Sequence, residues 1–171
     1  AVANEFNETW GSSFTAANVA MTAGAKHAIH NLSMACLQSG QEVIIPAPYW
    51  VTFPEVITIT GADPVIVDTS EKDGFALRPS AVSDAITQRS AALILNTPNN
   101  PTGAVYTPDE ISEIVQLAIE HDLWIISDEI YTELIWNGTE HVSPAAVPGG
   151  FERTLTITGP SKTHAMTGWR V

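Results

Sequence analysis

A lysine with a hydroxyl beside it and an arginine a fixed distance on is the most chemically loaded stretch of this sequence. The run Gly159-Pro-Ser-Lys-Thr-His-Ala-Met-Thr-Gly-Trp-Arg170 places Lys162 next to Ser161 in a turn punctuated by Gly and Pro, with Arg170 eight residues later. A lysine amine forms a Schiff base with an aldehyde, and a neighbouring arginine grips a phosphate through paired hydrogen bonds. A lone lysine after a strand is ordinarily a surface residue, so the reading rests on Ser161 and Arg170. Two further segments carry groups that chemistry can use. Asn96-Thr-Pro-Asn-Asn-Pro-Thr-Gly103 is a loop stiffened by two prolines and a glycine, able to present Asn99 and Asn100 from rigid backbone. Ser127-Asp-Glu-Ile-Tyr131 puts Asp128 where a carboxylate is either a helix cap or a site residue. Glu129 reads as a solvated first-turn acid.

The elements that must position these groups alternate between strand and helix. Strands are expected at 18–22, 42–46, 64–67, 91–95, 123–126 and 153–157. The residues Ala25, Ala28, Ile29, Leu32, Ala35 and Cys36 recur at helical spacing, with Gly40 as the stop. A helix is expected over about 52–60 and a short one over 79–87. Thr107-Pro-Asp-Glu110 predicts a capped helix start, with Ile111, Ile114, Val115, Ala118 and Ile119 on its buried face. Asn137-Gly138 signals a turn. Strands separated by helices make βαβ units, so the fold class is α/β, a mostly parallel sheet with helices on both faces. In such sheets ligands bind beyond the carboxyl ends of the strands. Gly24, Asn100, Asp128 and Lys162 all follow expected strands.

Composition sets the frame. Of 171 residues 44% are hydrophobic and 15% charged, the balance of a globular chain. Seven basic against nineteen acidic residues give a formal charge of −12, which argues against a nucleic-acid surface. No apolar run approaches the roughly 20 residues of a membrane span. The single cysteine, Cys36, has no internal disulfide partner and sits among apolar neighbours as an expected buried thiol, which fits a reducing compartment. His27 and His30 lack a third metal ligand and read as solvated or capping residues. His121 and His141 read as loop or surface residues. Both ends of the chain read as cut, and Trp169-Arg170-Val171 reads as the beginning of another strand, central in the sheet. The isolated chain is therefore expected to be unstable or inactive.

Taken in order, Thr-Ala-Gly-Ala-Lys26, Pro-Tyr-Trp50, Asn-Asn-Pro-Thr-Gly103, Asp-Glu-Ile-Tyr131 and Ser-Lys-x4-Thr-Gly-Trp-Arg170 resemble the class I/II aminotransferases of the aspartate aminotransferase superfamily, enzymes dependent on pyridoxal 5′-phosphate (PLP). The resemblance covers essentially the whole chain. It implies that residues 1–171 are a partial PLP-binding large domain, without the N-terminal arm and the C-terminal small domain. It implies transamination between an amino acid and a 2-oxo acid. Lys162 would form the internal aldimine and move the proton between the substrate Cα and the cofactor C4′. Asp128 would pair with the pyridine nitrogen. Asn100 and Tyr131 would hydrogen-bond the ring O3′, and Trp50 would stack on the ring. Gly24, Ala25 and Lys26 would offer backbone N–H groups to the phosphate, with the Lys26 side chain left exposed. Ser161 and Arg170 would complete the phosphate cradle. Pro160 and His164 depart from the family's usual residues, and His164 could reach substrate. A cytoplasmic homodimer with no membrane or nucleic-acid partner is implied. Two other readings share part of this set: a PLP-dependent carbon–sulfur β-lyase, and the aminotransferase-like effector domain of a transcription regulator. The intact Asn-Asn-Pro-Thr-Gly string favours the aminotransferase.

Overall fold

Two-residue alternation along apolar runs sorts the sheet into two faces. In β1 (Glu42–Ala47), Val43 and Ile45 face one side and Ile44 the other. The same split divides Ala92 and Ile94 from Leu93 and Leu95 in β3 (Ser90–Asn96). In β4 (Trp124–Asp128) it separates Ile126 from Ile125. A strand apolar on both sides must be covered on both sides, and parallel pairing with helical crossovers supplies that cover. With β2 (Asp63–Asp68) and β5 (Thr154–Ile157), the five strands form one sheet in the order β2-β1-β3-β4-β5. Every pairing in it is parallel. The computed structural model describes residues 2–11, 13–136 and 138–170.

The helices divide between the faces as the apolar stripes require. After α1 (Val2–Trp10) come α2 (Ala25–Cys36) and α3 (Thr52–Ile59). These two pack Ile29, Phe53, Val56 and Ile57 against Val43, Ile45, Ile94 and Ile126. On the opposite face α4 (Pro79–Ala85) and α5 (Pro108–Glu120) set Val82, Ile111, Ile114 and Val115 against Ile44, Leu93, Leu95 and Ile125. The expected capping box at the start of α5 forms. Thr107 Oγ1 accepts from Glu110 N–H at 3.2 Å, and Glu110 Oε2 accepts from Thr107 N–H at 2.7 Å. Below β1 and β2, Arg89 reaches Glu42, Asp63 and the Gly40 carbonyl, tying together the starts of the strands. The last helix, α6 (Pro160–Thr163), is a single turn beyond β5.

Several local expectations need correction. Residues 18–22 are not a strand: Ala16–Asn18 is a 3₁₀ turn, and 19–22 pair with no strand. The Asn18 side chain turns back to accept from Thr15 N–H and Oγ–H at 2.9 and 2.8 Å, and turn chemistry of this kind outweighs a short β pattern. Trp169–Arg170 does not begin a strand either. Thr167–Trp169 is a 3₁₀ turn, and Arg170 is left-handed with φ +55°. Helix α2 ends at Cys36, and Gly40 serves instead in the turn before β1, with φ +85°. Cys36 is only half-buried, and that burial pushes its thiol up. The expected Asn137-Gly138 turn falls partly outside the described residues, as does Val171 at the end of the expected last strand.

Ile126 is fully buried two residues before the end of β4 and faces α2 and α3. Ile126→Ala should destabilise the protein by about 2–5 kcal/mol, read as a lowered denaturant midpoint.

Candidate functional site

The chain runs from β1 outward to β2 and then returns past β1 to β3, so the strand order reverses between β1 and β3. Such a reversal opens a crevice at the carboxyl ends. Here it is bridged, because Asn99 Nδ2 donates to the Pro48 carbonyl at 3.2 Å. The polar groups gather beside it, over β3, β4 and β5. Asn96, the last residue of β3, donates from Nδ2 to the Asp128 carbonyl at 3.0 Å and accepts from Asn100 N–H at 2.8 Å through Oδ1. Thr97 N–H also donates to the Asp128 carbonyl, at 3.3 Å. The Asn99 side chain closes its own loop by accepting from Thr102 N–H and Oγ–H at 3.2 and 2.8 Å. The expected rigid loop therefore exists. A cleft of about 510 Å³ runs along it, lined by Asn99, Asn100, Tyr131, Leu134, Ile135 and Trp136 among others.

Asp128 ends β4 with 4% of its surface exposed. Burial raises its carboxyl from the ordinary 3.8 to about 7. The Ile130 N–H, donating to Oδ1 at 3.2 Å, opposes that rise; the Glu129 charge adds to it and the Lys162 charge opposes it. Among the described residues no Lys, Arg or His forms an ion pair with Asp128. Lys162 sits in α6 with its side chain toward the same edge, its Nζ 5.7 Å from the centroid of the Tyr131 ring. Lys162, Asp128 and Tyr131, the three residues singled out for catalysis, thus meet at one edge of the sheet.

The start of α2 and Arg170 also come together. Gly24 has φ +83°, and a Cβ there would lie 2.1 Å from an Arg170 guanidinium nitrogen. Only glycine accepts both the backbone angle and the contact. Arg170 itself donates to the Thr167 and Ala23 carbonyls at 2.6 and 3.4 Å. Gly24 is the N-cap of α2. The first-turn N–H groups of Ala25 and Lys26 make no backbone hydrogen bond among the described residues, as the geometry of a helix start requires. Ser161 is buried in α6. Trp50 packs edge-on against Phe53, with ring centroids 5.7 Å apart. The Lys26 side chain is exposed, as expected, yet its Nζ lies over the Trp50 ring, 4.9 Å from the centroid. His27 Nδ1 accepts from Ala23 N–H, a capping role. His164 is exposed.

Glu129 and His141 require correction. Glu129 is not solvated but fully buried, and its partner His141 is 6% exposed rather than a surface residue. The carboxylate accepts from Ser127 and Ser143 hydroxyls and meets His141 Nε2. Asn96, which holds the loop to β4, was also absent from the candidate set. Its position as the last residue of a buried strand was the available signal. Among the described residues no helix is long and apolar enough to cross a membrane, and no three or more His, Cys, Asp or Glu converge as a metal site.

The lysine, the buried carboxylate and the glycine-capped helix start all lie toward the carboxyl edge of one parallel sheet. The chain belongs to the aminotransferase class I and II family, whose model matches residues 1–171. It is 45% identical over its full length to the aspartate/prephenate aminotransferase of Thermus thermophilus and covers 44% of that protein. It is 40% identical to the aspartate aminotransferase of Bacillus subtilis, over 99% of this chain and 44% of the relative. The solved structure of Thermus thermophilus aspartate aminotransferase with maleate superimposes with a TM-score of 0.95 at 44% identity, covering 99% of this chain and 44% of that one. The chain spans less than half the length of these relatives.

The raised Asp128 carboxyl has a stability consequence. Between about pH 4 and about pH 7 the folded, cofactor-free protein keeps this proton while the unfolded chain has lost it, so stability falls as pH rises through that window. A shift of about three pKa units makes the loss at most on the order of 4 kcal/mol. Denaturant midpoints from pH 4 to 8 should show this slope, and Asp128→Asn should flatten it.

Proposed function

We propose that this chain is part of the PLP-binding large domain of a longer aminotransferase, which moves an amino group between an amino acid and a 2-oxo acid. The observation that carries the reading is the meeting of Lys162, Asp128 and Tyr131 at one sheet edge with the Gly24–Arg170 contact. The residues fit the cofactor on two counts. A buried carboxylate with no ion-pair partner among the described residues suits a cationic ring nitrogen. A helix start with open N–H groups, capped by a glycine against a guanidinium, suits a phosphate dianion.

When bound, the cofactor supplies the electron sink that makes a substrate Cα–H acidic. The chain's own groups do the rest. Lys162 supplies the amine that attaches the cofactor, then moves the proton to and from the substrate Cα. Asp128 holds the proton on the ring nitrogen. Asn100 and Tyr131 hold the ring hydroxyl by hydrogen bonds. Trp50, braced by Phe53 and Lys26, covers the ring face. Gly24, Ala25, Lys26, Ser161 and Arg170 hold the phosphate. The relatives named for aspartate, and the maleate bound to one of them, support a dicarboxylic amino acid as substrate. The same family reading carries a cytoplasmic homodimer as the working form.

The test uses the full-length polypeptide. It should take up PLP with a new absorbance band and convert it on addition of aspartate. Borohydride should fix the cofactor to the peptide containing Lys162. Lys162→Ala should abolish that fixation and lower transamination by at least about 100-fold; unchanged fixation would sink the assignment. Gly24→Ala, which displaces the Arg170 guanidinium, should weaken PLP binding by about tenfold or more while barely changing affinity for phosphate-free pyridoxal.

A further inference from the structure

Glu129 is buried next to Asp128 but is not among the groups that would hold the cofactor. Its side chain is 0% exposed. Oε1 accepts from the Ser127 and Ser143 hydroxyls, each at 2.8 Å, and Oε2 meets His141 Nε2 at 3.0 Å. Two hydroxyl donors and an imidazole on one carboxylate suit an anion that water cannot reach. Its backbone is held as well, since Glu129 N–H donates to the Ile157 carbonyl at 2.8 Å, across the ends of β4 and β5. Ser143 in turn accepts from Ala145 N–H at 3.3 Å, so the donors arrive on a folded segment with Ala145 and Val147 buried under it. Burying an acid costs stability unless it is paired and hydrogen-bonded, and Glu129 has the partners that burial demands.

What it adjoins supplies the use. The preceding residue is Asp128, and the Glu129 charge is among the influences that make Asp128 hold a proton more strongly. In a buried setting, an anion fixed behind a carboxylate adds its own attraction for a cation in front of both. The two serines and His141 keep the anion's place, and the Ile157 bond keeps the peptide that Asp128 shares with it.

We infer that Glu129, held by Ser127, Ser143 and His141, is a positioning residue whose fixed charge strengthens the grip of Asp128 on the protonated ring nitrogen of the cofactor. The inference rests on the proposed function. Its distinctive consequence is selectivity: Glu129 should matter for a cofactor with a basic ring nitrogen and not for one without it.

The probes are PLP and its 1-deaza analogue, which replaces the ring nitrogen by C–H, and the protein is the full-length polypeptide. Wild type should favour PLP, and Asp128→Asn should erase that preference, which checks the reading itself. Glu129→Gln is close to isosteric and neutral. It should weaken PLP binding on the order of tenfold and leave the analogue unchanged. In the Asp128→Asn background, Glu129→Gln should have no further effect on PLP. Equal weakening of both ligands, or of neither, overturns the inference while leaving the function standing if Asp128→Asn still erases the preference. Should Glu129→Gln fail to fold, Ser143→Ala removes one of the donors that hold the charge in place. It should give the same selective weakening with smaller amplitude, and a non-selective effect there overturns the inference equally.

Discussion

The side chain of Asn96 uses both halves of its amide at the junction on which this site depends. Its NH₂ holds the carbonyl of Asp128 and its oxygen holds the N–H of Asn100. The residue is 4% exposed, so water does not compete for either bond. Loop and strand end are thereby fixed to one another rather than merely adjacent. The spacing between Asn100 in the loop and Asp128 on β4 follows from this, as does the shape of the cleft between the loop and Tyr131. The sheet fixes β3 beside β4; Asn96, paired with Asp128 at the end of that ladder, carries the order on to Asn100, where a loop would otherwise be free to choose.

Two acids lie side by side at that point and are treated oppositely. Glu129 shares the Ser127 side of the chain and is saturated by hydroxyls and an imidazole. Asp128 has a backbone N–H and, among the described residues, no ion-pair partner, and burial drives its carboxyl up to about 7. A fold that merely tolerated buried acids would satisfy both. Leaving one of them short of positive charge is a local departure from good packing, and such departures gather at functional sites.

Much of this was legible in the sequence, for reasons that differ by element. The sheet was readable because β1, β3 and β4 are apolar on both faces, a pattern few other settings produce. Helix α5 was readable because Thr107, Pro108 and Glu110 state its start through hydrogen bonds between near neighbours. The gathering of Lys162, Asp128 and Asn100 could be read because each lies at or after the end of a strand, and strands of a parallel sheet deliver their carboxyl ends to one edge. What could not be read depended on contacts between distant segments. Glu129 looked solvated because nothing near it in sequence says that Ser143 and His141 will arrive to bury it. Residues 18–22 looked like a strand because a β pattern carries no information about whether a partner strand exists. Arg170 was assigned to the phosphate by resemblance; its fit against Gly24 is a three-dimensional fact.

That fit joins Arg170 to the Ala23–Gly24 turn across 147 positions of chain. Closing so long a loop gains nothing until the sheet between the two ends has ordered, because the entropy cost of the closure must be offset by contacts already made. On a ribosome, the start of α2 leaves the tunnel long before Arg170 is synthesised. The α2 turn therefore waits for its guanidinium until the strands between them are in place, and the Gly24–Arg170 fit reports that the intervening sheet has formed.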